Sequence, residues 1–563
     1  MSSSIPEGSA RLTAVDPAAA QVLIVGAGPV GLCLALDLAR RGIASTVLER
    51  RPAGELPSVK CNHVSARTME TFRELGFAAR VRAAGLPDDY PNDVVVRTTA
   101  TGHELMRIHI PCRRDRFTDT SGPDGAWPTP EPPHRVNQIY LEPILFDEAR
   151  RSGLITLRNR VEFVSHEQDE QGVTVLARDL DAGTELHWRA RFMVGCEGGR
   201  SLVRNAIGAR LVGDEVVQRV QSTWFRAPDL IHRITKPDAW MSYLYTTERA
   251  GNLVAIDGRE TWLLHNYLLP HEADSQVVDR DRCLRRLLGV GPEFSYTLLS
   301  KEDWIGRRMV ANRFRDRRVF ICGDAAHLWV PYAGYGMNAG IADAMNLSWQ
   351  LAAHLLGWAP EALLAAHERE RLPITEQVSR FAMRHAMGAI RERTGVPPAL
   401  EDATAEGEAA RRAVGEAAYA LHVQQFACAG LNFGYYYDDS PVIARDEEAA
   451  PGYTMHEYTP STVPGCRTPH LWLRDGRSLL DATGPWFTLL RFDPGVEVFA
   501  LERAARNAGM PLQVLDVDSD AIPSAYRHRL LLDRPDHHVA WRGDVLPADP
   551  VALVDLVRGA RAA

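Results

Sequence analysis

A glycine-rich turn near the start of the chain limits, more than any other feature, the folds that the chain can adopt. The strand-forming run Val22 to Val25 ends at Gly26, and an apolar helical pattern follows. Gly26, Gly28 and Gly31 have the G-x-G-x-x-G spacing. In it the first glycine allows the tight turn, the second lets a pyrophosphate approach the backbone, and the third lets helix and strand pack closely. Pro29 begins the helix, whose free N–H groups and positive dipole end would face the phosphates.

The next predicted strand supports a dinucleotide site. Ile43 to Glu49 ends in an acid about 20 residues after the glycines, where this type of site binds a ribose hydroxyl. The neighbouring Arg50 is a second candidate for cofactor binding. Glycine-rich turns also occur for packing alone. Here a strand precedes the glycine-rich turn, a helix follows it, and the acid lies at the expected distance. Together these features favour a dinucleotide site.

The composition excludes several kinds of partner. The chain has 563 residues, enough for about three domains, and its 45% apolar and 24% charged residues are typical of a protein with a sizeable core. The net charge of −8 argues against a nucleic-acid or membrane surface. The eight cysteines form neither a C-x-x-C pair nor a Cys/His cluster, so we predict no metal site, no disulfide framework and a cytoplasmic location. Residues 1–20 lack the apolar core of a signal peptide and are expected to form a disordered tail.

Two further strand-to-helix turns follow along the chain. Phe192 to Arg204 contains the turn Gly-Cys-Glu-Gly-Gly. Arg318 to Asp324 is a strand that ends in an acid, and the glycine-rich segment Gly334 to Asn338 precedes a long amphipathic helix predicted to begin at Ala339. The N–H groups at the N-terminus of that helix would converge on an electron-rich group.

The remaining segments suggest two more structural units. Alternating, aromatic-rich strands between residues 208 and 311 predict an antiparallel sheet with one face open to a flat apolar ligand. Pro111 to Pro133 is long enough to be a lid, an interface loop or a partly disordered segment. From Tyr453 a mixed pattern of strands and helices indicates a small appended α/β domain.

The three motifs, in this order, resemble the flavoprotein aromatic hydroxylases of the p-hydroxybenzoate hydroxylase fold, which bind FAD and use NAD(P)H and O₂. The resemblance covers nearly the whole chain, and its most specific part is Gly323-Asp324 followed by Pro-x-x-Gly-x-Gly-Met-Asn. The C-terminal signatures Arg-x-Pro-His and Arg-Pro-Asp-x-x-Val-Ala-Trp-Arg resemble the branch of phenol hydroxylases and 2,4-dichlorophenol 6-monooxygenases. That branch ends in a thioredoxin-like domain without redox cysteines.

This resemblance implies an α/β fold with a Rossmann-like FAD-binding domain interleaved with an antiparallel-sheet substrate domain, plus a C-terminal thioredoxin-like α/β domain. The FAD-binding domain would comprise residues 21–88, 136–206 and 311–395, and the substrate-binding domain residues 89–135 and 207–310. A helical linker, residues 396–455, would lead to the C-terminal domain, residues 456–563. Two departures are Glu197, where the family usually has Asp, and Tyr335, where it often has Gln.

The resemblance also implies roles for individual residues. Asp324 would bind the ribityl chain, Arg67 and Gln138 would contact phosphate and ribityl, and Pro331 would lie where substrate meets the flavin. The backbone at Gly336, Met337 and Asn338 would meet the flavin N1–C2=O edge, where negative charge accumulates on reduction. The predicted cofactor-binding residues are Gly26, Gly28, Pro29, Gly31, Glu49, Arg50, Arg67, Gln138, Asp324, Pro331, Gly334, Gly336, Met337 and Asn338.

The implied activity is hydroxylation of a phenol, hydroxypyridine or polyketide-type ring through a flavin C4a-hydroperoxide, with FAD bound, NADPH or NADH as a transient cosubstrate, and O₂. Because an ionised phenol is the better nucleophile, a protein base near its oxygen would help. His63, Tyr243 and His265 are the candidates, although each is alternatively a structural residue. Other readings are a Baeyer–Villiger or epoxidising monooxygenase of natural-product biosynthesis and a flavin-binding protein without turnover. A homodimer or higher oligomer is expected.

Overall fold

A computed structural model describes residues 20–272, 274–330 and 334–561 of the chain. Residues 1–19 of the predicted tail and the predicted site residue Pro331 therefore lie outside the described residues. Strands are numbered β1 to β21 and helices α1 to α14 in chain order within these ranges.

A mostly parallel sheet contains the strand that precedes the first glycine-rich turn. In order across the sheet its strands are β15 (Arg315–Asp316), β16 (Val319–Ile321), β9 (Phe192–Gly195), β1 (Val22–Val25), β2 (Ser45–Glu49) and β5 (Ile155–Asn159). β1 pairs in parallel with β2 and β9, and every residue of β1 and β2 is buried. Continuous burial is typical of a parallel sheet that is covered on both faces.

Different layers cover the two faces of this sheet. Alternate residues of β1 face opposite ways, so Ile24 packs with the helices and Leu23 packs with a second, small sheet. The helices are α1 (Pro29–Arg40), α4 (Gln138–Arg151) and α8 (Tyr335–Leu355). The small sheet is the predicted meander of β6 (Val161–Gln168), β7 (Val173–Asp179) and β8 (Glu185–Ala190).

The second large sheet is mainly antiparallel, as predicted. Its strands, in order, are β17 (His327–Leu328), β14 (Thr297–Ala311), β10 (Leu211–Arg226), β13 (Thr261–Tyr267), β12 (Ala250–Ala255), β11 (Met241–Tyr245), β3 (Val94–Arg97) and β4 (Glu104–Ile108). The register places Ser222, His265, Asn252 and Tyr243 opposite one another on adjacent strands. Cross-strand partners point to the same side of a sheet, so these polar side chains share one face, here called the polar face.

Helices cover both faces of the antiparallel sheet. α7 (Arg280–Leu288) packs on the side opposite the polar face, where a methyl group on Gly251 would lie 2.6 Å from the side chain of Leu287. α9 (Ala365–Thr394) and α10 (Ala405–Phe426) cover part of the polar face. The ring of His422 on α10 stacks on Tyr243 with a centroid separation of 4.4 Å.

The C-terminal part forms a mixed α/β unit, as predicted. Its sheet has the order β19 (Leu512–Asp516), β18 (Phe487–Arg491), β20 (Leu530–Asp533) and β21 (Val539–Gly543), with α13 (Phe499–Asn507) and α14 (Pro550–Val557) beside it. It packs on α8 through Trp349, whose ring meets Phe487 edge-on at 5.9 Å. Its relation to thioredoxin, and all of the domain boundaries, stay predictions.

One predicted helix starts earlier than expected. α8 begins at Tyr335 rather than Ala339, so Gly336, Met337 and Asn338 form its first turn instead of a preceding loop. The other helices are α2 (Ala66–Glu74), α3 (Ala78–Arg82), α5 (Leu202–Ala206), α6 (Leu230–Arg233), α11 (Ala429–Phe433) and α12 (Leu479–Ala482). Among the described residues, none of the helices combines the length and the apolar character needed to cross a bilayer.

Candidate active site

The three glycines of the first motif have separate structural roles. Gly26 has a φ of +101°, and a methyl group on it would lie 2.6 Å from the carbonyl oxygen of Cys196. A methyl group on Gly31 would lie 2.0 Å from the carbonyl oxygen of Gly26, so these two positions allow the turn and the close packing. A methyl group on Gly28 would meet no described atom within 4 Å. As far as the described residues show, Gly28 therefore faces open space at the N-terminus of α1, directly before Pro29.

Glu49 is held by backbone and side-chain donors. Its Oε2 accepts a hydrogen bond from the N–H of Ala27 at 2.9 Å, and its Oε1 accepts one from the N–H of Arg51 at 2.8 Å. The Arg51 guanidinium reaches Glu142 at 3.1 Å, and Gln138 donates to the same carboxylate. Burial raises the pKa of Glu142 despite the nearby guanidinium. Glu49 and Gln138, both predicted, are thus joined through Arg51 and Glu142, which the sequence did not reveal.

The Gly-Asp turn presents Asp324 to solvent. Asp324 is exposed, and the N–H of Gly323 beside it donates to Asp343 of α8 at 3.2 Å. The same buried carboxylate is 2.8 Å from both His327 and Arg371. Burial alone would raise the pKa of Asp343, but the Arg371 guanidinium and the His327 imidazole outweigh it and hold that pKa well below its usual value. The buried Asp343 carboxylate thus holds the turn at Gly323, and the next residue, Asp324, faces solvent.

The first turn of α8 is clamped by the loop that follows β2. Asn338 donates through Nδ2 to the carbonyl of His63 at 3.1 Å and accepts from the N–H of Ser65 at 2.9 Å. Gly334 precedes the helix with a φ of +59°, and a methyl group on it would lie 2.9 Å from Cβ of His63. A methyl group on Gly336, in contrast, would meet no described atom within 4 Å. Within the described residues, the helix N-terminus is therefore open at Gly336.

The helices and the Gly-Asp turn meet at one place. A methyl group on Gly340 of α8 would lie 2.7 Å from Val30 of α1 and 2.8 Å from Cα of Gly323. The N-termini of α1 and α8 and the Asp324 turn therefore border one region. Helix N-termini stabilise negative charge, so this arrangement suits a cofactor that carries phosphates and an electron-rich ring.

Two predicted cofactor residues point elsewhere. Arg50 is exposed, and its guanidinium lies 3.9 Å from Glu162 of the meander. Arg67 directs its buried guanidinium over the ring of Tyr435 at 4.8 Å and within 3.3 Å of His538 in the C-terminal unit. Arg67 does line a small cavity of about 40 Å³ with Asn338, but its guanidinium is committed to these other partners. The structure places Arg50 away from the other predicted cofactor residues, whereas Arg67 borders the same small cavity as Asn338, and both cofactor roles stay predictions.

The predicted catalytic residues occupy separate places. His63 is buried and contacts Arg135 through Nδ1; burial, reinforced by that guanidinium, lowers the pKa of His63 well below its usual value. Tyr243 is covered by the His422 ring, and its hydroxyl accepts from Gln425 at 2.9 Å. The roles of His63 and Tyr243 as bases therefore stay predictions, and the contacts of these side chains do not support them.

His265 differs from them because part of its ring is accessible. Its Nδ1 lies 2.7 Å from Oγ of Ser222 on the adjacent strand, and burial lowers its pKa to about 4. Trp304 of β14 donates to the same hydroxyl at 2.7 Å. No local pattern of residues indicates this arrangement, because it depends on the register of three strands.

The segment Pro111 to Pro133 is an ordered loop. Buried Asp124 accepts hydrogen bonds from Arg116 at 2.9 Å and from Arg135 at 3.4 Å. Of the three interpretations left open for this segment, partial disorder is therefore disfavoured. The departure Glu197 has a local role, since its carboxylate accepts from the N–H of Val203 at 2.8 Å at the start of α5.

The glycine turn, the acid after β2 and the helix N-terminus beside an antiparallel sheet suit a dinucleotide cofactor with an electron-rich ring. Comparison with known proteins agrees: residues 19–382 match the FAD binding domain family, and the chain belongs to that family.

Three similar proteins cover nearly all of the chain. It is 30% identical to a tetracenomycin A2 monooxygenase-dioxygenase of Streptomyces glaucescens, over 94% of each chain. It is 29% identical to a phenol 2-monooxygenase of a Pseudomonas species, over 96% of this chain and 92% of the other. The solved structure of RebC with bound 7-carboxy-K252c is 34% identical and superimposes with a TM-score of 0.87, covering 96% of this chain and 99% of RebC.

These likenesses confirm several predictions. The fold class is confirmed, as are the resemblance to flavoprotein hydroxylases and FAD as the cofactor. The chain is an FAD-dependent aromatic monooxygenase. The residues at the site fit FAD, because Gly28 and Gly336 leave open space where a side chain would obstruct its pyrophosphate and its ring.

Proposed function

We propose that this protein uses NAD(P)H and O₂ to hydroxylate an oxygenated aromatic compound, a phenol or a polyketide-type ring. The observation that carries the proposal is that the polar face adjoins Val330, which lies a few residues before α8 begins. The side chain of Val330 would lie 3.5 Å from a methyl group on Gly306 of β14. Gly306 is two residues from Trp304, which bonds Ser222 on the polar face. An aromatic compound on this face would thus lie next to the open N-terminus of α8.

Bound FAD would supply the redox chemistry, accepting electrons from NAD(P)H and delivering one oxygen atom of O₂ to the ring. Glu49 would orient the adenosine end and Asp324 the ribityl chain. The N–H groups at Gly336 and its neighbours would stabilise negative charge at the N1–C2=O edge, because the first N–H groups of a helix have no partner within the helix and Asn338 fixes this turn in position. Aromatic walls on the antiparallel sheet would exclude water from the ring.

The test is NAD(P)H consumption by the purified yellow protein, with and without a panel of phenols, hydroxynaphthalenes and hydroxyanthraquinones, with hydrogen peroxide assayed in parallel. We expect one class of compound to stimulate oxidation, with little peroxide and a product heavier by one oxygen atom. A lactone or an epoxide would establish the Baeyer–Villiger or epoxidising alternative. Bound FAD that reacts with no NAD(P)H under any condition would refute the proposal and favour a binding protein.

Cell location and assembly belong to the same proposal. All eight cysteines are unpaired thiols, which supports a reducing cytoplasm. A homodimer or higher oligomer is proposed, together with a preference for small aromatic partners over nucleic acid or membrane, in keeping with the net charge of −8. Light scattering on the eluted protein would measure the mass and reject the oligomer if a monomer is found.

A further inference from the structure

His265 is held in one orientation by neighbours on both sides. Its Nδ1 lies 2.7 Å from Oγ of Ser222, and the indole N–H of Trp304 donates to the same oxygen at 2.7 Å. The Trp304 ring also meets the imidazole edge-on, with a centroid separation of 5.8 Å and an interplanar angle of 85°. Ser222 is itself buried. The imidazole therefore has little freedom to rotate.

The same contacts decide which nitrogen of His265 carries the proton. An indole nitrogen can only donate, so Trp304 uses one lone pair of the Ser222 oxygen. Among the described residues, the only hydrogen-bond partner left for the Ser222 hydroxyl hydrogen is Nδ1 of His265. A neutral imidazole that accepts at Nδ1 carries its proton at Nε2. His265 is thus a neutral donor through Nε2–H rather than a base.

A second polar group beside His265 lacks a partner. Asn252 lies directly opposite His265 on β12 and shares the polar face. Asn252 is 7% exposed, and its Oδ1 has no hydrogen-bond partner among the residues that the structure describes. A buried amide without a partner is unfavourable unless a ligand or a water satisfies it. Adjacent strands are about 4.8 Å apart, so one ligand can reach both side chains.

Aromatic side chains flank the two polar groups. The Tyr243–His422 stack lies beyond Asn252, and Trp304 lies beside His265. His265 is partly accessible, whereas Asn252 is buried. Since Asn252 neighbours both Tyr243 and His265 across the sheet, the two polar groups lie between these aromatic side chains.

We propose that His265 and Asn252 form a substrate subsite that binds an aromatic compound carrying a ring-attached carbonyl next to a phenolic hydroxyl. His265 Nε2–H would donate to the carbonyl oxygen, and Asn252 would accept from the neighbouring hydroxyl or donate to it, according to the orientation of its amide. Ser222 and Trp304 act as positioning residues that set the tautomer. That the bound compound is a substrate rests on the proposed function, but its binding can be measured without turnover.

The first experiment compares two probes that differ in the carbonyl. Binding of 1-hydroxy-2-acetonaphthone and of 2-ethyl-1-naphthol to the FAD-loaded protein is followed by the change in the flavin spectrum. We expect His265→Leu to weaken binding of the ketone by roughly 10- to 100-fold and binding of the ethyl compound by less than about threefold, since one hydrogen bond is lost only for the ketone. His265→Gln, which keeps a donor, should retain most of the affinity. Equal losses for both probes would mean that His265 only packs, and would overturn the proposal.

Ser222→Ala tests the positioning role against a matched control. Ser242→Ala removes a buried serine hydroxyl from the opposite face of the same sheet. We expect Ser222→Ala to weaken binding of the ketone several-fold and Ser242→Ala to leave that binding unchanged. An equal effect of both substitutions would contradict a tautomer-setting role for Ser222. FAD content and melting temperature identify any variant that has failed to fold.

The tautomer can be read directly in the wild-type protein. Long-range ¹H–¹⁵N correlation on protein labelled with ¹⁵N-histidine, with His265→Gln to assign the signal, should show the neutral Nε2–H form at pH 7. An Nδ1–H form or an imidazolium would overturn the proposal. If the tautomer and the probe selectivity are as expected but no compound is hydroxylated, the subsite stands and the proposed function fails, so the two failures are distinguishable.

Discussion

Replacing Gly28 and Gly31 in turn by alanine should separate cofactor binding from folding, because the two sites differ in the space around them. At Gly28 a methyl group meets no atom of the described residues within 4 Å, and the backbone has φ −74° and ψ 179°, which alanine adopts without strain. At Gly31 the methyl group would lie 2.0 Å from a backbone carbonyl oxygen, far inside contact distance. We therefore expect Gly28→Ala to fold normally and Gly31→Ala to destabilise the protein before any cofactor is added.

The magnitudes follow from these contacts. Gly28→Ala changes the helix N-cap and should alter the free energy of unfolding of the apoprotein by about 1 kcal/mol or less. The methyl group fills the space next to α1 where the pyrophosphate would approach, and losing one hydrogen bond to a charged group costs about 1.5–3 kcal/mol. At about 1.4 kcal/mol per factor of ten, the Kd for FAD should rise roughly 10- to 150-fold. Gly31→Ala forces backbone movement, for which overpacking costs of about 3 kcal/mol or more are expected.

Two measurements on flavin-free protein give the answer. Chemical denaturation of each apoprotein reports the free energy of unfolding, and quenching of FAD fluorescence during titration reports the Kd. The reasoning would be refuted if Gly28→Ala bound FAD as tightly as wild type, or if it lost as much apoprotein stability as Gly31→Ala. The first result would mean that the open space at Gly28 is not where the pyrophosphate lies.

Three further predictions concern stability and cofactor binding. Glu74 and a second carboxylate outweigh burial and raise the pKa of His537 to about 9, above its unfolded value near 6.5. That stabilisation is complete below pH 6.5 and is lost as pH rises through 9. The melting temperature should therefore fall between pH 7 and 9.5 in wild type and less so in His537→Gln; parallel curves would contradict this. Asp343→Asn leaves the buried Arg371 guanidinium without its carboxylate and should lower the free energy of unfolding by about 3–5 kcal/mol in urea denaturation, whereas a change below about 1 kcal/mol would argue against the ion pair. Glu49→Gln should weaken FAD binding about tenfold in the same fluorescence titration, and an unchanged Kd would remove Glu49 from the site.

Much of the fold was predictable because its signals are local. The strand predicted at Val22 to Val25 has those bounds in the structure, and its buried run, the glycine turn and the helix are contiguous in sequence. The start of α8 was predicted four residues late. Its first turn, from Tyr335, contains Gly336 and Asn338 and has weak helix propensity, but Asn338 bonds the His63 loop and fixes the helical geometry from outside. Tertiary contacts from a distant segment decide that boundary.

The site was less predictable because its polar contacts join distant parts of the chain. Glycines and acids at motif positions can be recognised one at a time, and Glu49 and Gln138 do share one hydrogen-bond network through Arg51 and Glu142. The partner of His265 is 43 residues away, and it depends on a register that no short pattern specifies. The residues that cover Tyr243 come from α10, a segment whose sequence indicated only a helical linker.

Arg67, whose role in cofactor binding stays a prediction, lies where the C-terminal unit packs against the FAD-binding part. Resemblance assigned it to the cofactor, yet its guanidinium lies over Tyr435 and beside His538, while Asn338 borders the same small cavity. A planar, permanently charged group suits such a junction because it can stack on one ring and bond in its plane at once. The C-terminal unit is tied to the FAD-binding part by more than this residue, since His537 lies 2.6 Å from Glu74 of α2. The C-terminal unit therefore packs against α2. Ser65, at the start of α2, bonds Asn338 in the first turn of α8. The unit thus supports the predicted flavin site and is not an independent appendage.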